Sequence, residues 1–163
     1  MVRKILRYPD KILQEESRPV TDFMTVPELV ADMLETMHSE SGVGLAAIQV
    51  GVPLRVFVIG AQLSPDHQVF VNPRLASGSG ISMDEEGCLS FRKIFVQVAR
   101  KEKVQVSAQD ATGKTFTINA EGFFARALQH EMDHLNGKLL TDYVGTFRRE
   151  SIKKQLLRPG ARD

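Results

Sequence analysis

The sequence predicts an α+β fold, with strands in series followed by a core helix, and not a parallel doubly wound sheet. Short β-type runs at Phe95–Ala99, Lys103–Ala108 and Lys114–Ile118 follow one another through turn residues instead of alternating with helices. The stretch from Phe123 to Leu135 has helical spacing and is apolar on most sides, the pattern of a helix inside a core. At 163 residues and 42% hydrophobic content, the chain has the length of one ordinary domain with its own core. No repeat, low-complexity tract or Gly/Ser-rich linker divides it, so residues 1–163 are expected to form one domain.

The first two dozen residues read as an extended, proline-punctuated arm with a turn at Tyr8-Pro9-Asp10. Thr25–Ser41 reads as a helix: Thr25 and Glu28 make a capping box, and Leu29, Val30, Met33, Leu34 and Met37 an apolar stripe. Methionines at that spacing are core packing, while Glu28, Asp32 and Glu35 are expected to face solvent. Gly42-x-Gly44-x-x-Ala47 matches the turn of a dinucleotide-binding fold in letters only. That turn needs a strand before it and a helix after it; here a helix precedes and a strand follows, so no dinucleotide is expected. The glycines instead allow close approach of backbone to another chain or ligand. Gln49 is the one uncharged polar side chain between Leu45 and Pro53, suited either to tying two backbone segments together or to contacting a substrate.

Arg55–Ile59 and Gln68–Val71 read as strands flanking a polar loop whose His67 is expected to be solvated, like His38. Gly78-Ser79-Gly80 loosens the chain ahead of Met83–Ser90. Val104, Val106 and Ala108 alternate with polar residues, as in an antiparallel sheet covered on one face. Asp110–Gly113 is a hairpin turn. A helix beginning near Asn119 or Ala120 stops at Asn136-Gly137, and a last helix, Thr146–Leu157, halts at Pro159-Gly160.

With 21 Lys and Arg against 20 Asp and Glu, a formal charge of +1 argues against attachment to nucleic acid by bulk charge. No apolar run approaches the roughly 18 residues that span a bilayer. The start, Met1 to Leu6, has neither a signal-peptide core nor a transit-like segment, so a cytoplasmic protein without membrane contact is expected. Cys88 is the sole cysteine, which excludes an internal disulfide and makes it a candidate ligand or nucleophile.

The chemistry gathers at His130-Glu131-Met132-Asp133-His134. Histidines four apart share one helix face and can reach one metal ion, and the intervening glutamate lies beside it, the H-E-x-x-H arrangement of metal-dependent hydrolases. Two satisfied core histidines are the bland alternative, but burying imidazoles and a carboxylate without partners is costly and a metal resolves that cost. A catalytic metal usually takes three protein ligands. Downstream of His134 there is no histidine, and Asp142 is the weaker choice for the third. Cys88 is the stronger, since a thiolate suits Zn²⁺ or Fe²⁺; its alternative is a small buried hydrophobe.

Gly42-Val43-Gly44-Leu45-Ala46-Ala47-Ile48-Gln49, Glu86-Gly87-Cys88-Leu89-Ser90 and Gln129-His130-Glu131-Met132-Asp133-His134-Leu135 together resemble the three signature motifs of the peptide deformylases, in family order and at family-like separations. The likeness extends from the Tyr8-Pro9-Asp10 arm to Asp142-Tyr143. It implies a compact α+β fold with antiparallel sheets around the motif-bearing helix, and hydrolysis of the formyl group from N-terminal formyl-methionine of new polypeptides. It also implies Cys88, His130 and His134 as metal ligands with water completing the shell, and Glu131 as the group that accepts and returns the proton. The oxyanion would be held by the metal, the Leu89 backbone N–H and the Gln49 side-chain amide. Gly44 would lend a backbone group to substrate alignment, and Val43, Phe123 and the aliphatic part of Arg126 would wall a methionine pocket. Fe²⁺ is the metal the resemblance favours; Zn²⁺, Ni²⁺ and Co²⁺ also suit one cysteine and two histidines.

The chain departs from the family at Phe91-Arg92-Lys93-Ile94, where many members carry a small apolar residue followed by proline. Arg92 and Lys93 form either a solvated turn or a rim that favours acidic nascent chains. The tail, residues 146–163, carries Arg148, Arg149, Lys153, Lys154, Arg158 and Arg162 against Glu150 and Asp163. It is either a solvated helix or a basic one that docks on ribosomal RNA near the emerging peptide. An H-E-x-x-H endoprotease and a non-catalytic module with a closed structural metal are the competing functions.

Overall fold

In the computed structural model, which describes residues 1–160, the N-terminal arm ends in a 3-10 turn at Lys11–Gln14, with Asp10 accepting from the Ile12 N–H. Helix α1 (Val26–Ser39) leads into strand β1 (Gly44–Ala46) and a 3-10 turn at Ala47–Val50. Strands β2 (Val56–Ile59), β3 (Val69–Ser79), β4 (Ser82–Cys88), β5 (Phe91–Arg100), β6 (Lys103–Gln109) and β7 (Thr115–Glu121) follow. Helix α2 (Gly122–Leu135), a 3-10 turn at Leu140–Tyr143 and helix α3 (Thr146–Leu156) end the described chain. The class is α+β: an antiparallel sheet in the order β1-β2-β3-β6-β7, and a separate ribbon of β4 and β5.

Side-chain alternation builds the core on both faces of the sheet's first strands. Ala46, Phe57, Ile59 and Phe70 point toward α2, where Leu128 and Leu135 meet them. Leu45, Val56, Val58 and Val71 point the other way, onto Leu29, Met33 and Met37 of α1. The unbroken apolar run Val56–Ile59 is what a strand covered on both sides requires. A third cluster joins Val96 and Val98 of the ribbon to Leu13, Leu139, Ile152 and Leu156, which fastens α3. At the end of α2, Gly137 turns with φ +72°, and Ser17 N–H and the Arg55 guanidinium occupy the Leu135 carbonyl.

Several expectations need correction. Gly78–Gly80 does not loosen the chain: β3 continues to Ser79, Gly80 turns with φ +71°, and β4 begins at Ser82. These polar stretches are strands because β6 and β5 satisfy their backbone groups, which side-chain polarity does not reveal. Helix α2 starts at Gly122, not Asn119, because Asn119, Ala120 and Glu121 pair with Gln105, Val104 and Lys103 in the ladder. Thr25 makes no side-chain cap. Asp32 is buried, not solvated, and takes the Arg3 guanidinium at 2.8 Å. His67 stacks on Phe116 with ring centres 4.0 Å apart. Phe123 is 57% exposed, so the first turn of α2 stands at the surface and only its later turns are enclosed.

Phe91-Arg92-Lys93-Ile94 forms a bulge. Pairing passes from Cys88–Phe91 to Glu86–Val96, so the intervening part of β5 is looped outward, with Lys93 at φ +55°. Its apolar ends, Phe91 and Ile94, are buried, and Phe91 stacks on Tyr8 at 4.8 Å.

Candidate metal centre and active-site cavity

Helix α2 places His130 and His134 one turn apart, with their Nε2 atoms 3.2 Å from each other. Cys88 ends β4 just before the turn at Leu89-Ser90, and its Sγ lies 3.4 Å from His134 Nε2. The three ligand atoms fall within 4.8 Å of one another. Tetrahedral ligands at about 2.0–2.1 Å for nitrogen and about 2.3 Å for sulfur are separated by roughly 3.3–3.6 Å, so the spacing fits one divalent ion. The protonation pattern agrees. Glu86 Oε1 lies 2.9 Å from His130 Nδ1; a carboxylate only accepts, so Nδ1 carries the hydrogen and Nε2 offers its lone pair inward.

Burial pushes the Glu86 carboxyl up, but hydrogen bonds from Arg100 and His130 outweigh it and hold the pKa at about 2. Arg100 meets both Glu86 oxygens at 2.9 and 2.8 Å, and Arg126 adds 2.7 Å to Oε2. Arg100 also reaches Asp133 at 2.6 Å and Tyr143 at 2.9 Å, while Tyr143 donates to Asp133 at 2.5 Å. Burial lowers His130, but hydrogen bonds with Cys88 and Glu86 raise it well above the ordinary range, a field that favours positive charge there. Burial, followed by the charge on His130, holds His134 well below its ordinary value, in the neutral ligand form.

Glu131 sits beside this cluster with its pKa pushed up to about 7, chiefly by burial. Its Oε2, like His134 Nδ1, is buried without a hydrogen-bond partner among the described residues. An orphaned carboxylate oxygen is costly unless water or substrate meets it. Gly44 is what lets it fit: a Cβ there would stand 2.9 Å from Glu131 Oε1. Gln49 accepts from Ala46 N–H through Oε1 at 2.9 Å and points Nε2 at Ser90 Oγ (3.0 Å) and Cys88 Sγ (3.5 Å).

A cavity of about 390 Å³ opens over these groups. Val43, Gly44, Gln49, Cys88, Leu89, Phe123, Arg126, His130 and Glu131 line it, and His134 lies buried beside it. The residues singled out for ligation, catalysis and substrate contact therefore meet at one place. Asp142 does not join them; its carboxylate caps the 3-10 turn by accepting from Leu139 N–H. A second depression of about 600 Å³, at the ends of β3, β6 and β7, holds no cluster of metal-ligating side chains among the described residues. Sequence reasoning gave no role to Glu86, Arg100, Asp133, Tyr143 or Ser90. Strand parity was the available signal for Glu86, which shares a face with Cys88 two residues on.

The family model for polypeptide deformylase matches residues 2–150. The chain is 41% identical over 162 residues to peptide deformylase 1 of Shewanella oneidensis, covering 98% of this chain and 96% of the relative. It is 39% identical over 163 residues to the peptide deformylase of Bradyrhizobium diazoefficiens, covering 94% of each. The crystal structure of a peptide deformylase from Legionella pneumophila superposes with a TM-score of 0.90 at 44% identity, covering 96% of this chain and 94% of that one. The crystal structure of the peptide deformylase from Thermus thermophilus gives 0.84 at 38% identity, covering 96% and 94%.

Proposed function

Because the chain belongs to the peptide deformylase family, we propose that Cys88, His130 and His134 hold its catalytic metal and that Glu131 is its acid–base group. The chain is a hydrolase that removes the formyl group from the N-terminal formyl-methionine of newly made polypeptides. The family is metal-dependent, and the three-ligand cluster is the candidate site. The observation that carries the residue assignment is the convergence of one thiol and two imidazole nitrogens beside a buried, unpartnered carboxylate oxygen.

A divalent metal in this position supplies Lewis acidity, making water acidic near neutral pH and polarising the formyl carbonyl. Glu131 Oε2 takes the proton from the attacking water and returns it to the departing amine nitrogen. The Gln49 Nε2–H and the Leu89 backbone N–H face the oxygen on which charge develops; each such donor is typically worth about 3 kcal/mol of barrier. Glu86 keeps His130 in one tautomer, and the Gly44 backbone aligns the substrate. Val43, Phe123 and the stem of Arg126 wall the space for an unbranched methionine side chain, where one methylene is worth about 1–3 kcal/mol. Formyl is the smallest acyl group, so a site closed in by Gly44 needs to admit only a hydrogen beside the carbonyl.

We further propose that Fe²⁺ is the native metal, with Zn²⁺, Ni²⁺ and Co²⁺ able to replace it, and that residues 1–163 act as one catalytic domain in the cytoplasm, where new chains emerge. In helix α3, Ile152 and Leu156 are buried while Arg148, Lys153 and Lys154 are exposed. This arrangement supports docking on ribosomal RNA, with affinity that falls steeply as salt is added; Arg162 and Asp163 lie outside the described residues. The deciding experiment is metal analysis of anaerobically purified protein with a formate-release assay on formyl-methionyl peptides. Metal bound one per chain with formate release is expected; cleavage of internal peptide bonds instead would favour the endoprotease reading.

A further inference from the structure

The N-terminal arm crosses two of the three motif segments and hydrogen-bonds to both. Leu6 N–H donates to the Gln49 carbonyl at 2.7 Å, and Tyr8 N–H donates to the Ser90 carbonyl at 2.9 Å. Between these anchors, the Ser90 hydroxyl lies 2.7 Å from the Leu6 carbonyl and 3.0 Å from Gln49 Nε2. Tyr8 is buried and stacked on Phe91, next to Ser90, which keeps the arm in place.

The direction of every proton in this chain is determined. Ala46 N–H can only donate, so the atom of the Gln49 amide facing it is oxygen, and Nε2 faces Ser90. The Leu6 carbonyl can only accept, so the single hydroxyl proton of Ser90 goes to it. Ser90 Oγ is then left with lone pairs alone toward Gln49, and takes one of the two Nε2 protons. The other is donated to Cys88 Sγ, 3.5 Å away, at the wall of the cavity. Two main-chain groups that cannot exchange roles thus set which end of the amide faces the reacting group. Ser90 is wholly buried, so no water competes for the position.

We propose that Ser90, held by the Leu6 carbonyl of the N-terminal arm, is a positioning residue that fixes the Gln49 amide as a hydrogen-bond donor to the reacting formyl oxygen. The inference rests on the deformylase reading and on the donor role of Gln49. Ser90 is neither one of the candidate metal ligands nor one of the residues lining the cavity, and acts only through that amide.

The test is a double-mutant cycle on the metal-loaded chain, with formate release from a formyl-methionyl peptide, metal content and melting temperature measured for each variant. Ser90→Ala is expected to lower kcat about tenfold, a fraction of the roughly 10²–10³ lost when such a donor is removed outright, with KM and metal content unchanged. In a Gln49→Ala background the same change is expected to cost less than about twofold, because the amide it orients is gone. Ser90→Thr, which restores the hydroxyl, returns kcat. Equal losses in both backgrounds, or a loss that follows melting temperature alone, overturn the proposal. Hydrogen exchange on the unsubstituted chain gives a readout that needs no variant: one Gln49 side-chain amide proton should be strongly protected. Exchange at the rate of a surface glutamine overturns the inference. Absence of formate release by the unsubstituted, metal-loaded chain overturns the deformylase reading and this inference with it.

Discussion

At the scale of single residues, the site depends on atoms that leave room for others. Gly44 owes its place to the 2.9 Å that would separate a Cβ from Glu131 Oε1. Gly44→Ala is therefore expected to displace the carboxylate and lower kcat by about ten- to a hundredfold, since misplacement near 1 Å costs on that order. Metal content should stay at one per chain, and kinetics with metal analysis checks both. Glu131→Ala is expected to reduce turnover by about 10²–10⁴-fold, the usual worth of a positioned acid–base group, with metal retained. Equal loss of metal and activity would count against its role as the base. The His-x-x-x-His spacing and the lone cysteine were readable from sequence because metal ligation is a matter of residue type and helical period. Glu86 was not readable: it ends a run of three acids, Asp84-Glu85-Glu86, that looks like solvated surface. Only folding shows that Glu86 turns inward while Glu85 stays exposed.

At the scale of elements, the buried charges bind β4 and β5 to α2. Glu86 on β4 pairs with Arg100 on β5 and Arg126 on α2, and Arg100 pairs with Asp133 on α2. Removing Glu86 would leave Arg126 without its ion-pair partner and Arg100 with Asp133 alone. Glu86→Ala should cost about 3–5 kcal/mol of stability, as breaking a buried pair does. It should also weaken metal binding by about 10–100-fold through loss of the His130 partner. The Glu86 carboxyl, held at about 2 against an ordinary 4.5, gives the pH sign. Its folded pKa is depressed, so its contribution is complete above about 4.5 and disappears as pH falls toward 2. The difference is on the order of 3 kcal/mol, and acid unfolding of the unsubstituted chain beside Glu86→Gln should reveal it. Strand ends were the part of the elements least visible in the sequence. Asn119–Glu121 read as the start of a helix, and a ladder with Lys103–Gln105 claimed them for β7. Cross-strand pairing is a contact between residues about fifteen apart, and no local window contains it.

For the whole molecule, a metal held by Cys88, His130 and His134 would add a further tie between the ribbon and α2, beside the buried charges that already join them. Cys88 belongs to the ribbon and the two histidines to α2, which packs on the main sheet. An ion that binds only the folded arrangement stabilises it, by about 4 kcal/mol at a thousandfold excess over Kd. Chelation is expected to abolish formate release and to lower the melting temperature by on the order of 10 °C for a chain of this length. Restoring Fe²⁺ anaerobically should return both. Chelation without a change in melting temperature would mean that the ion does not link ribbon and helix.

The sequence alone determined the α+β class and named the candidate ligands, the candidate base and the residues that line the cavity. Each of those follows from residue type, from a period of 2 or 3.6, or from three short motifs occurring in order. Tertiary structure decided what those residues rest on. The two arginines around Glu86, the Ser90–Leu6 link behind Gln49, and the clearance at Gly44 each join residues 14 to 87 positions apart. The energy of a buried polar group depends on which partner reaches it, and that is settled only when the chain has closed around it.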